Sequence, residues 1–129
     1  LNKPSMRLYL IFVLCLFGFK SNAHEMTPTY PVLDSSYING VVVAKMKLFN
    51  RRNDVEYYQI EVFTKDWKPV KFATTNRLLK VDYNKNKMFN VYIRFADVKR
   101  TKYICTTSKV FKGGNQETLV SSMICSKIK

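Results

Sequence analysis

Met88-Phe89-Asn90-Val91-Tyr92-Ile93-Arg94-Phe95 places Phe89, Val91, Ile93 and Phe95 on one parity and Asn90, Tyr92 and Arg94 on the other. Successive side chains of a β-strand point to opposite faces, so this stretch reads as a strand with an apolar face and a mixed one. Earlier in the chain, Tyr37–Asn50 repeats the pattern: Val42, Ala44, Met46 and Leu48 form one apolar parity, while the other carries Lys45 and Lys47. Asn50-Arg51-Arg52-Asn53-Asp54 is a polar turn cluster. Val55–Phe63 is β-rich, and Lys65-Asp66-Trp67-Lys68-Pro69 ends it, because proline cannot donate into a ladder. Short strands are expected over Val70–Ala73 and Leu78–Val81, with a turn at Asp82–Lys87. Beyond the deciding stretch, Ala96–Arg100 reads as a polar connection and Lys102–Phe111 as a strand. Gly113-Gly114-Asn115 is a sharp turn signal, and Glu117–Ile128 reads as a closing strand or a short helix, its β-branched residues favouring the strand. About seven strands joined by short polar turns predict an all-β, immunoglobulin-like antiparallel sandwich.

The first 23 residues follow a different logic. Lys3 and Arg7 precede an almost wholly apolar run from Leu8 to Phe19, and Ser21-Asn22-Ala23 supplies small residues. That three-part order is a secretory signal, with cleavage expected before His24. The run is shorter than the roughly 20 residues that cross a bilayer, which sets the signal above its alternative, an uncleaved anchor. No comparable run follows, so no transmembrane segment is expected after signal removal. The expected mature chain, 24–129, forms a single domain in the periplasm or outside the cell.

Cys15 falls within the signal, leaving Cys105 and Cys125. An exported chain of this size favours a disulfide between them, with a buried reduced pair or intermolecular bridges as the alternatives. Closing a loop of this length stabilises the fold by about 3 kcal/mol in the chain-entropy picture. No CxxC spacing suggests redox catalysis.

Nucleophilic catalysis needs a base oriented beside the nucleophile. The only histidine, His24, falls at the expected mature terminus, where an exposed tail residue is the simplest reading. The nine acidic residues form no recognisable catalytic pair, and no phosphate-binding loop, dinucleotide loop or metal-ligand array is present. No enzyme activity, cofactor or metal is therefore expected. Charge is the strongest pointer to a partner: 22 basic against 9 acidic residues give a net charge of +13. Arg94, Lys99, Arg100 and Lys102 are the candidate basic binding surface, and Tyr92 on Arg94's parity adds an aromatic. Acidic envelope proteins and anionic surface polymers are the expected partner classes, with nucleic acid disfavoured by export.

The run from Lys45 to Phe95 resembles the N-terminal immunoglobulin-like domain of periplasmic pilus chaperones, the PapD-like group. Leu48-Phe49-Asn50 looks like that domain's strand ending in Asn before a turn, and Tyr57–Phe63 is similar to its next strand. Phe72–Lys80 followed by Asn84–Arg94 is similar to its apolar segment, central Arg-Leu element (here Arg77-Leu78), polar turn and alternating strand. The resemblance spans about half of the expected mature chain. It implies an exposed edge strand that completes the fold of a pilus subunit by strand addition. Phe89–Phe95 and Lys102–Phe111 are the candidate edges. The family's Arg–Lys pair that anchors a subunit carboxylate has no match, since Met26–Tyr37 contains neither residue.

These readings converge on an exported, non-enzymatic protein-binding module that assists assembly of a surface appendage or secretion apparatus. A structural component of an envelope or virion assembly and a small secreted effector or inhibitor are the alternatives.

Overall fold

The computed structural model describes residues 24–109 and 121–129. Within the described residues eight strands form in chain order: β1 (Glu25–Thr27), β2 (Asp34–Ser35), β3 (Val41–Phe49), β4 (Tyr57–Thr64), β5 (Leu78–Lys80), β6 (Asn86–Arg94), β7 (Thr101–Lys109) and β8 (Met123–Lys127). A 3-10 helix, Phe95–Arg100, joins β6 to β7. In the first sheet β3 is central, with β6 along one edge and β1 and β2 sharing the other. The second sheet runs β5-β4-β7-β8, and all pairings are antiparallel. The fold is the expected immunoglobulin-like sandwich.

Period-two alternation builds the core. Ala44, Met46 and Leu48 of β3 and Phe89, Val91 and Ile93 of β6 face Tyr58, Ile60 and Val62 of β4 and Ile104 of β7, all buried. Truncating one of the larger aliphatic side chains to alanine here would cost about 2–5 kcal/mol, because the site cannot fully collapse around the void.

Several expectations need correction. The strand expected from Tyr37 begins at Val41, because Ser36–Gly40 is a turn. There the Ser36 hydroxyl donates to the Val41 carbonyl at 2.6 Å, and Gly40 adopts φ +76°. Val70–Ala73 is not a strand but a crossing between sheets. Pro69 bridges Phe63 of the second sheet and Ala73 bridges Tyr92 of the first, so no run stays beside one neighbour. Phe95 does not continue the apolar face of β6; it opens the 3-10 helix, whose different period turns it outward to 70% exposure. β1 and β2 were not anticipated, and neither is long enough to show an alternation. The closing segment is a strand over Met123–Lys127. Val110, Phe111, the turn signal at Gly113-Gly114-Asn115 and the start of the closing segment lie outside the described residues, as does the whole expected signal.

Cys105 and Cys125 stand directly opposite each other on β7 and β8, with Cα atoms 4.1 Å apart, and are joined by a disulfide. The bond ties two adjacent strands of one sheet.

Candidate functional site

The site is built from the free edge of one strand and the loops at one end of the sandwich. Parity decides which backbone groups of β6 are free. Tyr92 N–H donates to Ala73 O at 2.8 Å and Ala73 N–H to Tyr92 O at 2.9 Å, so the groups of Tyr92 point away from β3. Along an antiparallel strand that direction recurs every second residue, so Met88 and Asn90 also aim their N–H and C=O groups outward. No described backbone pairs with them. Their side chains project from the outer face of the sheet, where Met88 is 71% exposed. β6 is thus a true edge over its first half and is closed at Tyr92.

The other candidate edge does not survive. β7 lies between β4 and β8 and exchanges ladder bonds with both, which leaves no free side for a further strand. The outer side of β8 is also partly occupied: Lys127 N–H donates to Thr29 O and Lys129 N–H to Pro31 O, each at 3.0 Å.

Beyond Tyr92, on the outer face of the first sheet, a hollow of about 490 Å³ is lined by Tyr37, Ile38, Phe72, Thr74, Tyr92 and Arg94 among others. Tyr37 and Tyr92 meet edge to face with ring centroids 6.0 Å apart. The buried Thr74 hydroxyl has no hydrogen-bond partner among the described residues.

The four basic residues expected to act together divide in two. Arg94 lines this aromatic hollow, whereas Lys99, Arg100 and Lys102 line a separate one of about 390 Å³. Lys65 and Lys68 join the latter, with Asp66 as the sole carboxylate in its lining. The sequence displayed both lysines in the turn after β4, but their convergence depends on the pairing of Thr64 with Thr101 across the sheet. Asp97 holds the two arginines: Arg94 and Arg100 each donate to its carboxylate at 2.9 Å. Its carboxyl lies below the usual range, chiefly through the Arg100 bond and also through Arg94. Among the described residues the lysines have no such ion-pair partner.

His24 contradicts its reading as an exposed tail residue. It is 1% exposed, with Nε2 at 3.1 Å from Thr106 O and 2.9 Å from Thr106 Oγ1, Nδ1 at 3.3 Å from Ser122 Oγ, and its ring 4.5 Å from that of Tyr58. The pairing of β1 with β3 draws the residue before β1 between the sheets. Burial lowers its pKa from 6.5 to about 4, against the opposing effect of the Thr106 backbone bond. Hydroxyls of Thr106 and Ser122 thus stand at both ring nitrogens, and these contacts fix the imidazole between the sheets. Among the described residues no three His, Cys, Asp or Glu side chains gather as a metal site, and no helix is long and apolar enough to cross a membrane.

The sequence matches no protein-family model and no curated protein.

Proposed function

We propose that this chain is an exported, non-enzymatic protein-binding module that receives a strand of an envelope protein on the open half of β6. The setting is assembly of a surface appendage or a secretion apparatus, the task of the pilus chaperones that the Lys45–Phe95 run resembles. The observation that carries the reading is the pair of outward-facing backbone positions at Met88 and Asn90, unpaired among the described residues, on a strand whose other side is bound to β3 along its length. An added strand would gain ladder hydrogen bonds from those groups, and alternate side chains would lie along exposed Met88 and the Tyr37–Tyr92 pair. An unprotected edge is a hazard that proteins ordinarily cover, which gives its exposure here a functional sense.

Asn90→Pro tests the proposal. Proline deletes the outward N–H and leaves the β3-facing bonds of Phe89 and Val91 in place, an edge position that tolerates it. Crosslinking from the native envelope fraction should recover a discrete protein that survives high salt with the parent chain and is lost with the variant. Capture of the same protein by a folded Asn90→Pro variant would refute strand addition at β6. Salt-sensitive recovery of mixed anionic material alone would refute a specific protein partner.

A further inference from the structure

A second surface lies where β4 and β6 end and β3 and β7 begin. Arg94 pairs with Val41, and Thr64 with Thr101, so these strand ends meet at one pole of the sandwich. Three separate connections there expose large apolar side chains: Tyr37 at 84% and Ile38 in the β2–β3 turn, Trp67 at 50% in the β4 turn, and Phe95 at the start of the 3-10 helix. Phe95 N–H donates to Gly40 O at 2.8 Å, which ties the first of these connections to the third.

Trp67 is held in an unusual way. Its φ is +63°, in the left-handed region where glycine is favoured and a bulky side chain is an outlier. The turn around it is closed by Trp67 N–H to Thr64 O at 3.0 Å, Thr64 N–H to Lys68 O at 2.8 Å, and Lys68 N–H to Thr64 Oγ1 at 3.1 Å. Tyr103 stacks on the indole at 4.3 Å with the rings parallel, so the ring is fixed with part of its surface still in water. Lys65 and Lys68 of the same turn line the basic hollow together with Lys99 and Lys102.

We propose that this pole docks on a bilayer surface bearing anionic phospholipid headgroups. Rigid aromatic rings among lysines suit an interface that is apolar beneath and negatively charged above, where tryptophan and tyrosine concentrate and clustered lysines are attracted. The spread of the apolar groups favours a bilayer over a soluble polyanion. A sugar or nucleic-acid chain would use rings placed for stacking beside hydrogen-bonding groups, whereas Phe95 and Ile38 present only hydrocarbon on separate connections. The open stretch of β6, at Met88–Asn90, lies toward the opposite end of that strand and would stay accessible on a docked molecule.

Trp67 is the only tryptophan in the chain, so its emission reports directly on this pole. The purified protein is titrated with vesicles of phosphatidylglycerol and phosphatidylcholine in equal parts, with pure phosphatidylcholine vesicles, and with soluble dextran sulfate. Each variant is compared with the parent, so any contribution from residues 1–23 cancels. Co-sedimentation with the anionic vesicles and a blue shift of Trp67 emission are expected, with neither on pure phosphatidylcholine. Reversing Lys99 and Lys102 to glutamate should weaken vesicle affinity about tenfold or more. Phe95→Ser, at an exposed position that the fold does not use, should weaken it without changing the melting temperature. Asn90→Pro should leave it unchanged, which separates this surface from the β6 edge. Absence of binding at low salt overturns the proposal, as does binding with unshifted Trp67 or insensitivity to both sets of substitutions. An equal blue shift with dextran sulfate would instead identify a polyanion surface and overturn it too.

Discussion

The two poles of the sandwich use similar side chains in opposite ways. At the pole where β3 ends, Asn50, Tyr58 and Arg52 turn inward and are bound in one network, and His24 packs on Tyr58 with its ring nitrogens held by Thr106 and Ser122. The Asn50 amide donates to Val55 O at 2.7 Å and Val81 O at 2.9 Å, while its oxygen accepts from Arg52 N–H at 2.9 Å and from the Tyr58 hydroxyl. Arg52 is clamped by Asp54 through bonds of 2.9 and 2.6 Å. Burial pushes the Tyr58 phenol up to about 12, keeping it a neutral donor. At the pole where β4 ends, Trp67, Phe95 and the lysines turn outward. Asp97 and its arginines are the one ion-paired cluster there among the described residues. A basic, aromatic-rich composition is therefore no guide to function until each group's partners are known. The pole whose buried polar groups are bound secures the fold, and the pole whose apolar and cationic groups face water is the one able to bind.

That contrast breaks most easily at Asn50. Asn50→Ala strands two carbonyls, one backbone N–H and the Tyr58 hydroxyl in a site closed to water. A buried group left unsatisfied costs about 1–3 kcal/mol, so the loss should reach about 3–5 kcal/mol even after partial relaxation. Chemical denaturation would measure it. A loss below about 1 kcal/mol would mean that water reaches this pole and that the two ends do not differ as described.

Acid probes the same pole more gently. His24 is neutral in the fold because its pKa there, about 4, lies below the ordinary 6.5, so protons bind more readily to the unfolded chain. Its contribution is fully present above about pH 6.5 and is lost progressively as pH falls toward about 4. The melting temperature should decline by several degrees more across that window in the parent than in His24→Gln. Identical slopes would place His24 in water and remove it from the buried network.

The contrast between the poles also marks what could be read from the chain alone. The β3 and β6 faces were legible because Val42, Ala44, Met46 and Leu48, and Phe89, Val91 and Ile93, recur with a period of two, and the ladder pairs Val42 with Ile93, Ala44 with Val91 and Met46 with Phe89. The basic turn after β4 was visible, yet its meeting with Lys99 and Lys102 required knowing that β4 pairs with β7. His24 offered no local signal at all. Its burial comes from a three-residue strand, and its partners Thr106 and Ser122 lie 82 and 98 residues away in sequence. Phe95 misled for the opposite reason: its parity fits the strand, but the backbone leaves the strand one residue earlier. Edge or interior status was equally hidden, since only the strand order separates β6 from β7.

The smallest expected effect sharpens the outward-facing pole. Trp67→Gly removes the stack on Tyr103 and the contact with Phe63, whose ring centroid is 5.8 Å away, but it relaxes a left-handed backbone. The aromatic contact and the strain are each worth about 1 kcal/mol and act in opposite directions, so stability should change by less than about 1 kcal/mol. Trp67→Ala loses the ring and keeps the strain, so it should be less stable than the glycine variant by about 1 kcal/mol. Denaturation of the pair isolates the backbone term, because neither variant has the ring. If alanine equals glycine, the turn has relaxed and the indole alone was holding it. If glycine is far less stable than the parent, Trp67 is a lid over the core, and the contrast between an inward pole and an outward one fails at this residue.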